Sequence, residues 1–523
     1  MLLAFIAAIA SCWVMIVPPM AGPDEPEHVV RSAALIRNAA GSQSPSTPAV
    51  RYELPASVSW PNPACFAFRP DVAADCALGT ERPDGVTMLP TRQFDDPVWG
   101  HLLPGIGTLI TGPAGIWVSR LLAAAIPILL VGAALSASAR ADGLAASSLM
   151  LALTPMSWFM FSVVNPSGLS IAGGVALWVG ASNVAGAGTR ADRWLAAAGW
   201  TALVLPRRDG LVWAALVLVA VLVAERCSLA DCLRRLGRGP TVLVATATVA
   251  AQVWSATLDT PVDRAAILVP LLLGAFELAR RSVPVGVGMP LRSVVVGAGL
   301  AGSAVALVSL RGIPSAALAR TAATHTADQV NESLGVLGWL DTPIPAGAAL
   351  VWCVGFGMLI AAALHGPSWR RGLVAAGVGA TAISAPWLIE LVRDGTLVRW
   401  QGRYDLPLLI GMPILLGRVS VPERFKRRIA VAIAMMAVVV WNLAFWAAAR
   451  RWAVGVSGSL RVWEWDTYGA ALPPVALGLA HIGLCVGLLT VVFGWTPPVR
   501  FRLPSWDLGD LGTTRPRGAP ARR

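Results

Sequence analysis

Residues 2–28 read LLAFIAAIASCWVMIVPPMAGPDEPEH, an uncharged apolar run followed at once by three carboxylates and a histidine. The apolar run, residues 2–17, approaches the roughly 20 residues that a helix needs to cross the hydrocarbon core of a bilayer. The polar residues that follow it are Asp24, Glu25, Glu27 and His28. This order predicts a membrane-spanning helix whose exit carries a polar site.

The composition of the whole chain extends this prediction to a polytopic membrane protein. Of its 523 residues, 56% are hydrophobic and 13% are charged, and a soluble protein of this length needs far more charge to cover its surface. Apolar stretches recur along the sequence, so we predict an all-α integral membrane protein with about fourteen transmembrane helices. The predicted spans are 2–17, 116–138, 144–162, 168–186, 194–206, 210–225, 240–257, 265–281, 292–310, 344–364, 371–390, 405–418, 428–447 and 472–494.

The basic residues orient the chain. The net charge is +12, and the arginines cluster in short loops between spans, which is typical of cytoplasmic loops and unlike the basic groove of a nucleic-acid-binding protein. Both termini are then cytoplasmic, and a polytopic domain of residues 1–497 precedes a basic, disordered tail, 498–523. A cleaved signal peptide is the alternative for the first span, which lacks a positive n-region. The predicted external loops are 18–100, 311–343, 391–404 and 448–471.

Two cysteines lie close together in the first external loop. Cys65 and Cys76 bound the stretch CFAFRPDVAADC, and an oxidising exterior favours a disulfide between them. Neither the cysteines nor the histidines of the sequence have the spacing of a zinc site. We expect the disulfide to brace a long loop.

The segment after Pro26 has the pattern of an amphipathic helix. Val29, Ala33 and Ile36 recur at helical spacing, so we predict a helix along the outer surface of the membrane. Asp24 followed by Glu27 also has the form of a capping box. Two interpretations of the carboxylates stay open at this point, a helix cap and a substrate site.

The motif PDEPEH at 23–28, placed directly after a span, resembles a bacterial family of polytopic membrane proteins of formerly unknown function. That family is assigned to the GT-C superfamily of polyprenyl-phosphate-sugar-dependent glycosyltransferases. The resemblance covers roughly residues 1–410 in the order of the family, and Asp405 departs from its usual apolar residue. The other matching stretches are HLLPGIGTLITGPAGIWVSRLLAA (101–124), TPMSWFMFSVVNPSGLSIA (154–172), LPRRDGLVW (205–213), LGVLGWLDTPIP (334–345) and WQGRYDLPLL (400–409).

The resemblance implies a GT-C-like fold in a bacterial plasma (inner) membrane and a catalytic acidic pair in the first external loop, where Asp24 and Glu25 stand. An inverting glycosyl transfer needs a base to take the proton of the acceptor hydroxyl and cations near the departing phosphate. The implied partners are a polyprenyl-phosphate-sugar donor, a cell-envelope glycan or lipid acceptor and the lipid bilayer, with no nucleic acid. The sequence does not distinguish which of the two carboxylates is the base.

Arg403, Tyr404 and Arg207 are the candidates for binding the donor phosphate. They fall on the predicted outer face, and the paired N–H groups of arginine fit phosphate oxygens. For Arg403 the alternative is a snorkelling side chain at the membrane interface. For Arg207 the alternative is a plain ion pair with Asp209.

Further candidates line the same predicted face. His28, Glu332 and Asp341 are expected to bind substrate, although a structural histidine and a turn-forming aspartate are open alternatives. Asp24, Glu25 and Glu27 could also hold a hard divalent cation, but we expect no obligatory metal or other cofactor. The residues that could line the acceptor path are Asp95, Asp96, Trp463 and Trp465.

These expectations favour an integral-membrane, inverting glycosyltransferase with an extracytoplasmic active site. A lipid-linked-saccharide flippase or secondary transporter is the main alternative, but such a protein should place charged residues at mid-span. A non-catalytic scaffold of an envelope-synthesis complex is the third. The intact Asp24-Glu25 and Arg403-Tyr404 pairs argue against it.

Overall fold

The structure, a computed structural model, describes residues 1–257 apart from 44–48, 80, 111 and 187, then residue 273, and residues 315–494 apart from 365–368 and 394–399. Helices make up most of this part of the chain, as predicted. The helices are α1 (Leu2–Ile16), α2 (Glu25–Arg37), α3 (Leu102–Gly107), α4 (Pro113–Ala141), α5 (Gly143–Ala152), α6 (Pro155–Phe161), α7 (Pro166–Ala185), α8 (Arg190–Val204), α9 (Gly210–Glu225), α10 (Leu229–Leu236), α11 (Arg238–Ala256), α12 (Ser315–Gly335), α13 (Ala346–Leu364), α14 (Trp369–Arg393), α15 (Leu406–Leu409), α16 (Gly411–Leu416), α17 (Glu423–Val454) and α18 (Pro474–Phe493). The strands are β1 (Gly41–Gln43), β2 (Val50–Pro55), β3 (Val86–Thr91), β4 (Val336–Leu337) and β5 (Thr342–Pro343).

Several of these helices can cross a membrane. By length and composition, 5 of the described helices qualify, or up to 7 if each bent pair is one span. The bent pairs are α5 with α6, at 71°, and α9 with α10, at 101°. The predicted spans 265–281, apart from residue 273, and 292–310 lie outside the described residues, as does the predicted tail. Every other predicted span overlaps a helix. The count of fourteen stays a prediction.

Helices α7 and α8 pack closely against each other. A Cβ atom at Gly173 would lie 2.6 Å from the backbone nitrogen of Leu203, and one at Gly199 would lie 2.4 Å from that of Leu177. Glycine is therefore required at both positions, and small residues that let backbones approach are common where membrane helices pack. The pair supports the two turns, 162–165 and 205–209, that carry site residues.

The long first loop contains a small antiparallel sheet, which the all-α prediction did not include. The strand order is β1–β2–β3, and β2 alternates buried and exposed residues, the period of a half-buried strand. Helix α2 is present as predicted, and its Val29 and Val30 pack in one apolar cluster with Val50, Leu54 and Leu89 of the sheet. The apolar side of α2 is therefore covered by its own loop.

The capping-box interpretation of Asp24 is wrong. Asp24 is the N-cap residue of α2, but its backbone is left-handed, with φ 58°, and its side chain makes no capping hydrogen bond within the described chain. Aspartate tolerates this conformation better than most residues. The carboxylate is consequently turned away from the helix and is open to other partners.

The disulfide between Cys65 and Cys76 is confirmed. Its loop is fixed by the buried guanidinium of Arg451, near the C-terminal end of α17. One cation therefore holds the loop in place through backbone acceptors. The accepting carbonyl oxygens belong to Phe66 at 2.9 Å, Arg69 at 3.1 Å and Val72 at 2.7 Å.

Candidate functional site

The predicted site residues come together at one end of the helical bundle. The first loop contacts Arg120 near the start of α4, Val164 before α7 and Arg208 before α9. The ends of α1 and α8 share this side, because each is joined to the next helix by a loop that carries site residues. Loops at the end of a rigid bundle are the usual position of binding and catalytic groups.

Glu25 is a buried anchor. Its side chain is fully buried, as is that of Arg120, and the two form a paired contact, with both distances at 2.7 Å. The remaining acceptor positions receive the backbone N–H groups of Gly22 at 3.1 Å and Val164 at 3.0 Å. Both oxygens of Glu25 are thus engaged in joining α1, α2, α4 and the turn before α7.

Asp24 has the opposite environment. Its side chain is 34% exposed, and its Oδ2 accepts a hydrogen bond of 2.5 Å from Nη2 of Arg403, which is 1% exposed. The two residues are 379 positions apart in sequence. An accessible carboxylate therefore stands beside a buried cation, as a proton acceptor next to an anion-binding group should.

Arg403 has two nitrogen atoms whose N–H groups no described residue accepts. Among the described residues its Nε and Nη1 atoms are buried without a hydrogen-bond partner. Buried, unpaired donors are costly, so these N–H groups are suited to bind an acceptor that the described chain does not supply. Tyr404 and Arg207 lie beside it, since the guanidinium carbons of Arg403 and Arg207 stand 4.9 Å and 4.2 Å from the Tyr404 ring centroid.

Glu332 holds the turn that presents Arg403. The backbone N–H of Gly402 donates to Oε2 of Glu332 at 2.9 Å, and the Ser333 hydroxyl donates to the Gly402 carbonyl at 2.9 Å. A Cβ at Gly402 would lie 2.1 Å from the carbonyl oxygen of Gln329. The motif glycine thus lets residues 402–404 dock closely on α12, and the Glu332 carboxylate, predicted to bind substrate, accepts this backbone hydrogen bond.

Asp341, also predicted to bind substrate, contacts the disulfide region. Its Oδ2 lies 2.8 Å from Nη2 of Arg451, and its side chain is 6% exposed. Its Oδ1 accepts from the Thr342 hydroxyl at 2.8 Å. The carboxylate balances the charge of the cation that binds the disulfide loop.

His28 faces two other titratable groups. Its Nδ1 lies 3.9 Å from Oδ2 of Asp96, and Nε2 of His101 lies 3.8 Å from the same oxygen. Burial, with the neighbouring His101, lowers the pKa of His28 to about 3, so its imidazole is neutral at physiological pH. Burial raises the pKa of Asp96, but the two imidazoles and Arg207 lower it by more, to about 2, so this carboxylate is ionised.

The three carboxylates that were predicted as a possible cation site do not surround a common point. Both oxygens of Glu25 are occupied, Asp24 pairs with Arg403, and Oε2 of Glu27 accepts the backbone N–H of Arg92 at 2.9 Å. A hard cation needs several free oxygens around one point. These three carboxylates have separate partners and do not fit such an ion.

Comparison with known proteins identifies the family. The family described as Predicted membrane protein (DUF2142) matches residues 7–412. The chain belongs to this family. The predicted membership of a family of polytopic membrane proteins is thus confirmed, and the DUF2142 region includes Asp24, Glu25 and Arg403. Helices α17 and α18, with Arg451, lie beyond it.

One solved structure is similar to this DUF2142 protein, and it is described as the crystal structure of ArnT from Cupriavidus metallidurans bound to undecaprenyl phosphate. The two chains are 14% identical with a TM-score of 0.38, and the similarity covers 94% of this chain and 76% of that one. No curated protein matches the sequence.

A groove opens beside α2 in the DUF2142 region. It has a volume of about 720 Å³. Glu27 and Val30 of α2 line this groove, whereas Asp24 and His28 are not among its lining residues. The groove residues that offer polar or aromatic contacts include Glu27, Arg51, Trp60, Asn62 and Arg92.

Two residues near the predicted site, Arg120 and His101, were not predicted from the sequence. Arg120 is a charge inside an otherwise apolar predicted span, and an ionisable residue within a span calls for a partner. That signal was present and pointed to a carboxylate such as Glu25. His101 gave no comparable signal, because its proximity to His28 arises from the tertiary packing of α3 on α2.

Proposed function

We propose that the protein is an inverting glycosyltransferase of the membrane. It transfers a sugar from a polyprenyl-phosphate donor to a cell-envelope glycan or glycolipid on the extracytoplasmic face. Membership of the DUF2142 family and the GT-C resemblance of its motifs support the reaction class. Because a shared fold does not establish a function, the remaining support for the proposal must come from the geometry of the site.

The pairing of Asp24 with Arg403 is the observation that carries the proposal. An exposed carboxylate stands within hydrogen-bond distance of a buried guanidinium, whose Nε and Nη1 lack partners in the described part of the chain. The phosphate of a donor supplies acceptors for these N–H groups, as bidentate arginine contacts to phosphate do. When phosphate also draws Nη2, Asp24 is released as a base.

The proposed reaction is a single displacement. Asp24 takes the proton of the acceptor hydroxyl while the acceptor oxygen forms a bond to the anomeric carbon. The bond from that carbon to the phosphate oxygen breaks, and its electron pair leaves with the polyprenyl phosphate. Arg403 and Arg207 stabilise the added negative charge, and Tyr404 holds the two guanidinium groups side by side.

The other predicted residues receive supporting roles. Glu25 fixes the start of α2 and so positions Asp24, and Glu332 positions Arg403 through the turn at 402–404. The groove beside Glu27 suits an acceptor glycan, because Trp60 offers a stacking surface and Arg51 and Asn62 offer hydrogen bonds.

The test measures sugar transfer by the purified protein in lipid nanodiscs, with labelled polyprenyl-phosphate sugars and envelope acceptors. Asp24→Asn keeps the shape of the side chain, and we expect it to lower the rate about 10²–10⁴-fold, the usual contribution of a general base. Glu53→Gln, at an exposed carboxylate of β2, is the matched control and should keep the wild-type rate.

Two results would contradict the proposal. A wild-type rate in Asp24→Asn would remove this carboxylate from the chemistry. Absence of transfer with every donor, together with movement of a fluorescent polyprenyl lipid between leaflets of vesicles, would identify a flippase instead.

A further inference from the structure

A cluster of three side chains next to Asp24 has a different chemistry from the acidic pair. His28 on α2, Asp96 in the loop after β3 and His101 at the start of α3 direct their ligand atoms to a common point, where these atoms all lie within 4.8 Å of one another. Both histidines are buried, and the side chain of Asp96 is 19% exposed. Three chain segments thus meet around one small volume.

The two imidazoles are left without hydrogen bonds at this point. Nδ1 of His28 and Nε2 of His101 are buried and have no partner in the portion of the chain that the structure covers. Their distances to Oδ2 of Asp96, 3.9 Å and 3.8 Å, exceed a hydrogen bond. Buried imidazole nitrogens rarely stay unpaired, so both nitrogens are suited to bind a shared partner at this point.

A cation fits that centre. A point equidistant from three atoms with these separations lies about 2.5 Å or less from each, within a few tenths of an ångström of the roughly 2.0–2.2 Å bonds of zinc to nitrogen and oxygen. A modest rotation of the two rings closes the difference. The separations are too long for a direct contact between ligands and suited to a shared ion.

The surroundings orient the ligands in the way that metal sites require. The Ser32 hydroxyl lies 3.2 Å from Nδ1 of His101, so an N–H at Nδ1 leaves Nε2 unprotonated and facing the cluster. Metal-binding histidines commonly donate their second nitrogen in this way. Arg208 stands 3.8 Å from Oδ1, the other oxygen of Asp96, and holds the carboxylate from behind.

We propose that His28, Asp96 and His101 bind one divalent transition-metal ion of the zinc class. Two imidazoles and one carboxylate form a ligand set for such ions, whereas magnesium and calcium prefer oxygen ligands throughout. Three protein ligands leave a fourth position for water or substrate. The proposal does not depend on the proposed function, because metal binding is measured without a reaction.

The experiment measures zinc binding by the full-length protein in detergent. The affinity tag is removed, bound metal is stripped with a chelator, and Zn²⁺ alone is added back and counted by elemental mass spectrometry. We expect one zinc ion per chain. His28→Ala and His101→Ala should each lower the affinity at least a hundredfold, whereas His325→Ala, on α12 and outside the cluster, should leave it unchanged.

Two further readouts separate binding from folding. Ser32→Ala removes no ligand and should weaken zinc binding about ten- to a hundredfold, which tests the site even if a histidine variant does not fold. Zinc should also raise the melting temperature of the wild type by mass action, and of His28→Ala much less. Absence of stoichiometric zinc in the wild type would overturn the proposal, as would equal binding by His28→Ala and His101→Ala.

Discussion

The buried pair of Glu25 and Arg120 allows the two adjacent carboxylates of the motif to be told apart. Arg120→Met removes the charge but keeps most of the side-chain volume. Glu25 then stays buried with only the N–H groups of Gly22 and Val164 as donors, and the carbonyls of Val17 and Pro18 lose the donors at 2.5 Å and 2.8 Å. The substitution should therefore weaken the packing of α1, α2 and the turn before α7 on α4.

The size of the effect follows from burial. Neither side chain has exposed surface, so removing one partner leaves an uncompensated buried charge, at a cost of about 3–5 kcal/mol. Arg140→Met, on the same helix α4, removes an arginine whose side chain is 56% exposed and should cost no more than about 1 kcal/mol. The double variant Glu25→Gln, Arg120→Met should recover about 2–3 kcal/mol relative to the sum of the single variants.

The assay is unfolding of the purified protein by SDS in mixed micelles, which gives the free energy of unfolding. Sugar transfer per folded molecule is measured in parallel. Glu25→Gln should lower stability and keep transfer per folded molecule within about tenfold, whereas Asp24→Asn should lower transfer per folded molecule about 10²–10⁴-fold, irrespective of its effect on stability. The reasoning fails if Arg120→Met costs less than about 1 kcal/mol, if the two changes simply add, or if Glu25→Gln abolishes transfer in a fully folded protein.

Three further outcomes are expected from the same structure. Gly402→Ala forces a methyl group against the Gln329 carbonyl and should displace Arg403, so donor binding measured by competition with polyprenyl phosphate should weaken at least tenfold while the disulfide still forms. Arg403→Lys keeps the charge but loses the planar fork, and should raise the KM for donor about ten- to a hundredfold with little change in the unfolding free energy. Asp341→Asn leaves Arg451 buried without its counter-charge and should lower stability by about 3–5 kcal/mol, with an unchanged KM for either substrate. An altered KM in Asp341→Asn would instead support the prediction that this residue binds substrate.

The sequence predicted the site at the level of segments. The acidic motif after the first span and the Gly-Arg-Tyr turn were both expected on one face, and the structure brings Asp24 and Arg403 into contact. The disulfide was predicted from compartment and proximity alone. Polar segments could be located because charge is costly in a membrane, and the cysteine pairing could be predicted because it depends on few variables. The roles of the site residues stay predictions.

The division of roles between neighbouring residues could not be predicted. Asp24 and Glu25 are equivalent in the sequence, and the left-handed backbone at Asp24 turns one carboxylate outward and the other into the bundle. Glu332 was expected to bind substrate, and in the structure its carboxylate accepts a hydrogen bond from the Gly402 backbone. Such assignments depend on backbone torsions and on contacts between segments hundreds of residues apart.

The separation of 379 residues between Asp24 and Arg403 has a consequence for biosynthesis. At about 5–20 residues per second, the ribosome needs roughly 20–75 seconds to extend the chain from one to the other. During that interval the acidic loop is complete and its cation does not yet exist. The loop closed by the disulfide is likewise synthesised before Arg451, which lies 385 residues after Phe66. A nascent chain halted before residue 403 would carry an unbalanced acidic loop, and one released before residue 451 a disulfide loop with no anchor.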